Sequence, residues 1–463
     1  MIALEDGRAK ELRQRFATTF VDEETMKFVP EALKEAYYSA AEALARSPLL
    51  ASDVDAPAAR TLNTVVDAIR SIPGHRGFAT GTRASELTGA VEHGWPLIYV
   101  NPTVFGTLLL LVRRVKGEVA EGQEELRYSC RFIEGLPNGQ ITKTLLIGQK
   151  RKDHESDFYL SIFNDRNDAT FPETLGNALA WVGNRLAKNI HEFVMDCSDE
   201  VDKEPFPVGI TLVPCGHISL IPLDAATWID RRTQERRCLA DEFFVRYAPS
   251  GIIAAASIRK AKAFDNSSSP RVPHFLAIGD PLLGLSSARF EIEGISHHFP
   301  ADSRHIAYED AATLPFITTH APQASHIHLA THASSYIIPT LSASQASIYL
   351  ADGPLLATQI PATLSLGQTR LTVISACESA VRGFEGVDEA FSIGTVMLAA
   401  GSACAIGSLW RVDDVATSLL MVGMYEEMMG RGKKPPEALA EAKRWLRELD
   451  IDANGEKKDE DGA

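Results

Sequence analysis

Arg370-Leu-Thr-Val-Ile-Ser375-Ala-Cys377 is a short β-branched run that ends in small residues and one thiol. It reads as a buried strand delivering the thiol at its carboxyl end, where open α/β sheets assemble their sites. Upstream, Ser325-His-Ile-His-Leu-Ala-Thr-His332 is a second apolar run, ending in a histidine ahead of the loop signal Ala333-Ser-Ser335. The chain between His332 and Cys377 is long enough for one crossover, so adjacent parallel strands can carry the two side by side. His332 and Cys377 are therefore a candidate base and nucleophile.

Outward from this pair, Val208 to Val213, Phe275 to Asp280 and Arg304 to Ala307 read as further strands. The apolar run Ile218 to Leu223 follows a turn at Cys215-Gly216, and a last strand ends near Trp410. Their alternation with crossovers implies a mainly parallel sheet covered by helices. From Trp95 a separate set of strands appears at Leu97 to Val100, Gly106 to Val112, Arg127 to Ile133 and Phe158 to Phe163. Pro172 to Cys197 has the spacing of one long amphipathic helix, with Leu175, Leu179, Val182, Leu186, Ile190 and Val194 on one face. Helical spacing also marks Ala32 to Leu44 and Ala59 to Ile72, without a repeat period that would support a full helical array. Asp413 opens a helix running to about Met429, and Pro435 opens another ending near Leu449. We accordingly divide the chain into a helical N-terminal region (1–90), an accessory α/β layer (91–205), a main α/β domain (206–449) and an acidic tail expected to be disordered (450–463).

Composition narrows the function. The 463 residues can bury a large core, and the 45% hydrophobic content is ordinary for a globular protein. No apolar run is long enough to span a bilayer, and the first residues lack a secretory signal, so a cytoplasmic location without membrane contact is expected. A net charge of −15 argues against direct nucleic-acid binding. Six scattered cysteines with no C-x-x-C pair read as free thiols, with Cys404 a core residue. His326, His328 and His332 share strand parity, yet no downstream ligand set completes a zinc site, and neither metal nor cofactor is expected. No G-x-S-x-G elbow is present, Gly430 to Lys434 lacks the phosphate-loop frame, and Ser257 and Lys260 sit in an ordinary helix.

An ordered set of short motifs carries a resemblance: Ile69-Arg-Ser-Ile-Pro-Gly74, Leu212-Val-Pro214, Ala248-Pro-Ser250, Gly279-Asp-Pro281, His332, Leu350-Ala-Asp-Gly353, Ser375-Ala-Cys377, Asp388-Glu-Ala390, Leu398-Ala-Ala-Gly401 and Ser408-Leu-Trp410-Arg-Val-Asp413. Together, over roughly residues 69 to 449, these resemble the CHAT family of caspase-like cysteine peptidases of the caspase/separase clan. The resemblance implies a caspase-like three-layer α/β sandwich, with the accessory layer a candidate pseudo-caspase-like region. It implies proteolysis by a dyad in which His332 is the general base and Cys377 the nucleophile. The backbone N–H groups of Cys377 and Ala333 would form the oxyanion hole, where each donor is worth about 3 to 4 kcal/mol in hydrolases. Many relatives have Gly where Ala333 stands, and the Glu378-Ser379 pair departs from the caspase signature.

Asp388, Trp410 and Asp413 are the candidate substrate-binding residues. Carboxylates there, with Glu389 and Asp414 beside them, would select Lys or Arg, whereas Arg411 argues for an acidic side chain; a basic or uncharged residue is the expectation. Asp388 and Asp413 read equally well as helix caps. The implied role is limited cleavage of one dedicated protein partner in bacterial defence or programmed cell death, a gasdermin-like pore former for example. An activator is expected to dock on the N-terminal region, and the basic loops near Lys150 and Arg231 are candidate self-cleavage sites. The alternative is a catalytically silent scaffold that mediates assembly of a signalling complex.

Overall fold

The computed structural model describes residues 5, 26–45, 57–73, 75, 84–116, 124–144, 171–198, 208–266, 272–334, 346–376, 392–410 and 412–449. Cys377, Asp388, Arg411, the expected strand Phe158 to Phe163 and the acidic tail lie outside the described residues.

At the N-terminal end, α1 (Glu31–Ala45) and α2 (Pro57–Arg70) pack as a pair over a small core that includes Tyr37, Leu44, Leu62 and Ile69. The first sheet contains β1 (Leu97–Pro102), β2 (Gly106–Lys116), β3 (Glu124–Glu134), β4 (Gly209–Pro214) and β5 (Phe244–Tyr247), in the order β3-β2-β1-β4-β5. The outer pairs β1/β2 and β2/β3 are antiparallel, whereas β4 runs parallel to both β1 and β5. Residues on both sides of position 205 thus share one sheet, with Leu97 in register with Thr211. The long amphipathic stretch forms α3 (Phe171–Val182) and α4 (Lys188–Ser198), joined without a break by a π-helical turn, Gly183–Ala187. Its buried face, Val182, Leu186, Ile190, Phe193 and Val194, covers Ile98, Val100, Leu109 and Leu111 of the sheet. Each such side chain contributes roughly 1.5–3 kcal/mol on full burial. Ile218 to Leu223 is not a strand: Gly216–Leu220 forms a 3₁₀ turn with φ of +60° at Gly216. Burial of Ile218, Leu220, Ile221 and Leu223 in the first core explains the apolar run, which periodicity alone cannot assign to strand or helix.

The second sheet follows α5 (Gly251–Asp265), a helix capped by the Ser250 hydroxyl, which accepts from the Ile253 N–H. Its strands are β6 (Phe275–Gly279), β7 (Arg304–Tyr308), β8 (His326–Ala330), β12 (Leu371–Ser375) and β13 (Ala405–Gly407). A small antiparallel sheet, β9 (Ala333–Ser334), β10 (Ser347–Leu350) and β11 (Gly353–Leu356), intervenes in the chain between β8 and β12. The main strands lie in the order β13-β12-β8-β6-β7, all parallel. Alternation along β8 divides the two faces. Ile327 and Leu329 join the core beneath α7 (Leu314–His320) and α8 (Ile393–Ala399). Ala330 joins the opposite core, beneath α6 (Ala288–Ser296), α9 (Asp414–Tyr425) and α10 (Pro435–Glu448). Helices cover both faces of a parallel sheet, which is the expected three-layer α/β sandwich.

The order in which strands are added reverses within this sheet. From β6 the chain crosses to β7 on one side and then returns to β8 on the other, so the switch point lies between β6 and β8. Open α/β sheets bind ligands in the crevice beyond the carboxyl ends of the strands at such a point.

Candidate active site

β8 and β12 are adjacent and parallel, with Ala330 in register with Ser375. The strand β8 stops at Ala330, Thr331 is buried, and His332 emerges half-buried two residues beyond the register pair. The described part of the neighbouring chain continues to Ala376, whose carbonyl accepts a 2.6 Å hydrogen bond from the Ser408 hydroxyl. Ser408 follows β13, so the sequence run Ser408-Leu-Trp410 ties the outer strand to the residue just before the thiol position. Cys377 itself lies outside the described residues.

The histidine is held from its own backbone. Its carbonyl accepts from Tyr349 N at 2.9 Å, and the Thr331 hydroxyl donates to the Tyr349 carbonyl. In an antiparallel ladder hydrogen-bonded and non-hydrogen-bonded pairs alternate, so the next pair, Ala333 with Ile348, is of the open kind. The Ala333 N–H consequently turns away from β10.

On the other side of His332 stands the loop after β6. A Cβ built on Gly284 would lie 3.6 Å from His332 Nε2, and Gly284 has φ of +134°, a conformation that side-chain-bearing residues rarely adopt. Asp280 shapes this loop. Its N–H donates to the Ala330 carbonyl, and its carboxylate accepts from Gly284 N (3.1 Å) and Leu285 N (3.0 Å). Asp280 (φ +46°) and Leu283 (φ +60°) are also in the left-handed region, at a cost of about 1–3 kcal/mol each. Such strain persists only where the surroundings over-determine it. Asp280 and Gly284 were not among the expected site residues, although Gly279-Asp-Pro281 was already among the motifs; nothing local shows that this turn reaches His332.

The carboxylates near α9 have structural partners. Asp413 is the helix N-cap, exposed, its carboxylate accepting from Ala416 N at 2.9 Å. Asp414 accepts from Ser287 N (2.8 Å) and from the Ser286 hydroxyl (3.3 Å), which ties α9 to the loop that borders His332. Trp410 is half-buried and packs against the core of the first sheet.

The other two histidines of β8 turn away from the site. His328, fully buried, meets Glu291 of α6 at 2.7 Å, and the second oxygen of Glu291 accepts from the Ser418 hydroxyl of α9 at 3.0 Å. His326 sits 2.9 Å from the Ser325 hydroxyl, and burial, with Arg370 nearby, holds its pKa down at about 3.

A family model for the CHAT domain matches residues 184–459, more than half of the chain. The chain belongs to the CHAT domain family. The CHAT match begins inside the π-helical turn between α3 and α4, upstream of the parallel sheet, and takes in β4 and β5 of the first sheet as well. As a CHAT protein the chain belongs to the family that its motifs resemble, and its second sheet with two helical layers is a three-layer α/β sandwich. Among solved structures it is similar to a chain of the Saccharomyces cerevisiae separase–securin complex, at 10% identity and a TM-score of 0.43. That alignment covers 90% of this chain and 33% of the other, so the CHAT protein spans about a third of that relative's length. None of the curated proteins compared with it matches significantly. No described helix is long and apolar enough to cross a membrane.

Proposed function

We propose that the protein is a cysteine endopeptidase in which Cys377 and His332 act as a dyad. The observation that carries this reading is the register of β8 and β12: Ala330 pairs with Ser375, and each strand leads in two further residues to one member of the dyad. A free thiol with a pKa of about 8.5 is only slightly ionised at neutral pH, and a nearby imidazole raises the thiolate fraction. The thiolate attacks the scissile carbonyl carbon, and the oxyanion of the tetrahedral intermediate meets the N–H groups of Cys377 and Ala333. As the C–N bond breaks, His332 gives its proton to the leaving amine, and an acyl-enzyme thioester remains. Water, deprotonated by His332, then releases the acid and restores the thiol.

For the substrate we favour a protein partner cut next to an uncharged, apolar residue, with Asp388 and Trp410 as further pocket candidates. Asp413 and Asp414 already serve backbone N–H groups, which lowers their value as a basic-residue pocket. Leu282, Leu283, Val412 and Val415 are exposed on the two segments that Asp414 joins, the first of which borders His332. Limited cleavage of a gasdermin-like protein in defence or cell death remains our reading of the biological role, with an activator docking on the N-terminal helices.

Intact-mass analysis after incubation with peptide acyloxymethyl ketones tests the dyad. Labelling of the wild type, absent in Cys377→Ala and His332→Ala and fastest with an apolar residue before the reactive group, supports the reading. Equal labelling of the Cys377→Ala variant would overturn it. An unlabelled wild type, even with candidate partner proteins added, would point to the scaffold alternative.

A further inference from the structure

α6 and α9 run side by side in the same direction and stay in step over their whole length. Ser287 meets Asp414 and Ser418, Glu291 meets Ser418, and Gly294 meets Val422. A Cβ at Gly294 would come within 2.9 Å of Val422 Cγ2, so the close approach there requires glycine. The next step of this ladder brings His298, just past the end of α6, to Glu426, the first residue of the π-helical turn Glu426–Gly430 that prolongs α9.

This last step differs from the others. His298 Nε2 and a Glu426 carboxylate oxygen stand 3.5 Å apart, too far for a good hydrogen bond, and the His298 side chain is only 9% exposed. Nε2 is fully buried and has no hydrogen-bond partner. The neighbouring His297, the C-cap of α6, lays its ring 3.9 Å from that of His298. One donor atom from each of His297, His298 and Glu426 lies within 4.8 Å of the others, and among the described residues no other set of three His, Cys, Asp or Glu side chains does this.

We propose that His297, His298 and Glu426 bind a borderline divalent transition metal of the zinc, cobalt or nickel class, which fastens the C-terminal end of α6 to the end of α9. Two imidazoles and one carboxylate suit such ions, whereas magnesium and calcium favour all-oxygen shells. Bonds of about 2.0–2.2 Å need donor atoms closer together than they stand here, and the exposed His297 and Glu426 have the freedom to close in on the buried His298. Three protein ligands leave a fourth position for water. The site lies at the end of α6 opposite the loop that borders His332, and it has no part in the proposed dyad chemistry.

The test uses the chelator-treated full chain carrying Cys377→Ala, which removes the proposed reactive thiol as a competing ligand. Zinc chloride is titrated calorimetrically, and cobalt chloride is followed by its visible absorption. One saturable site is expected, with binding weakened roughly tenfold or more by Glu426→Gln and by His297→Ala. Zinc should raise the thermal midpoint of the parent, and this rise should vanish in both variants. Both substituted residues are exposed, and the metal-free melting curves of the variants report whether they fold as the parent does. Unchanged binding in the variants, no saturable binding in the parent, or equal binding of magnesium would each overturn the site.

Discussion

In each of the two sheets a parallel strand leads in sequence to a cysteine, and the surroundings of the two strand ends differ. In the first sheet Cys215 follows β4 directly, its N–H bonded to the Val100 carbonyl and its thiol 3.6 Å from the Val213 carbonyl. It is buried, it is the N-cap of the Gly216–Leu220 turn, and its parallel neighbour β1 runs on into a hairpin without a histidine. In the second sheet the neighbour β8 is followed by the half-exposed His332, at the point where strand order reverses. A thiol at a strand end is therefore a small core side chain by default. A base on the next strand and an open crevice are what would make it a nucleophile.

Buried glutamates extend the comparison. Glu5 lies wholly buried at the N-terminus of α5, accepting from Gly251 N (2.7 Å), Ile252 N (3.1 Å) and the Tyr99 hydroxyl. There it closes the helix end against the first sheet, as an anion at a helix N-terminus does. Glu291 instead reaches sideways from α6 to His328, beneath the strand that leads to His332. The first arrangement seals a module; the second joins a helix to the strand that bears the proposed base.

The largest expected effect separates the two thiols. Cys377→Ala should reduce turnover by about a thousandfold or more, whereas Cys215→Ala should keep activity and alter urea stability by only about 1–2 kcal/mol. Loss of activity in Cys215→Ala would break the comparison. Next comes the Glu291–His328 pair: Glu291→Leu strands a buried imidazole and should cost about 3–5 kcal/mol in urea unfolding. Glu291→Leu combined with His328→Leu should recover most of this, and a double variant no better than the single would refute the pairing argument. A smaller effect is expected at the loop beside His332. Gly284→Val should lower kcat/KM by roughly tenfold to a hundredfold through misplacement of the imidazole, with Asp280→Ala in the same direction and Asp280→Asn milder.

The smallest effect, per pH unit, concerns His326. Its folded pKa of about 3 lies below the ordinary value of 6.5, so between these values the unfolded chain takes up a proton that the folded chain refuses. Stability should be flat in this contribution above pH 6.5 and fall on acidification, by at most about 1.4 kcal/mol per pH unit. Unfolding measured from pH 7 to 5 should show this decline, and His326→Gln should flatten it.

Local chemistry in the chain was enough to determine much of this protein. Strand runs at Leu97, Gly106, Phe275, Arg304 and Leu371, the amphipathic stretch of α3 and α4, and the ordered motifs of the CHAT family are all written in residue type and period. His332 and Cys377 stood out because each ends an apolar run. Only the tertiary structure decided that β4 pairs with β1 across position 205 and that Trp410 rests on the first core. The same holds for the Asp280 loop beside His332 and for Glu291 beside His328. The physical reason is distance along the chain: periodicity and capping report the few neighbours of a residue, whereas these contacts are set when strands far apart in sequence take their places in one sheet.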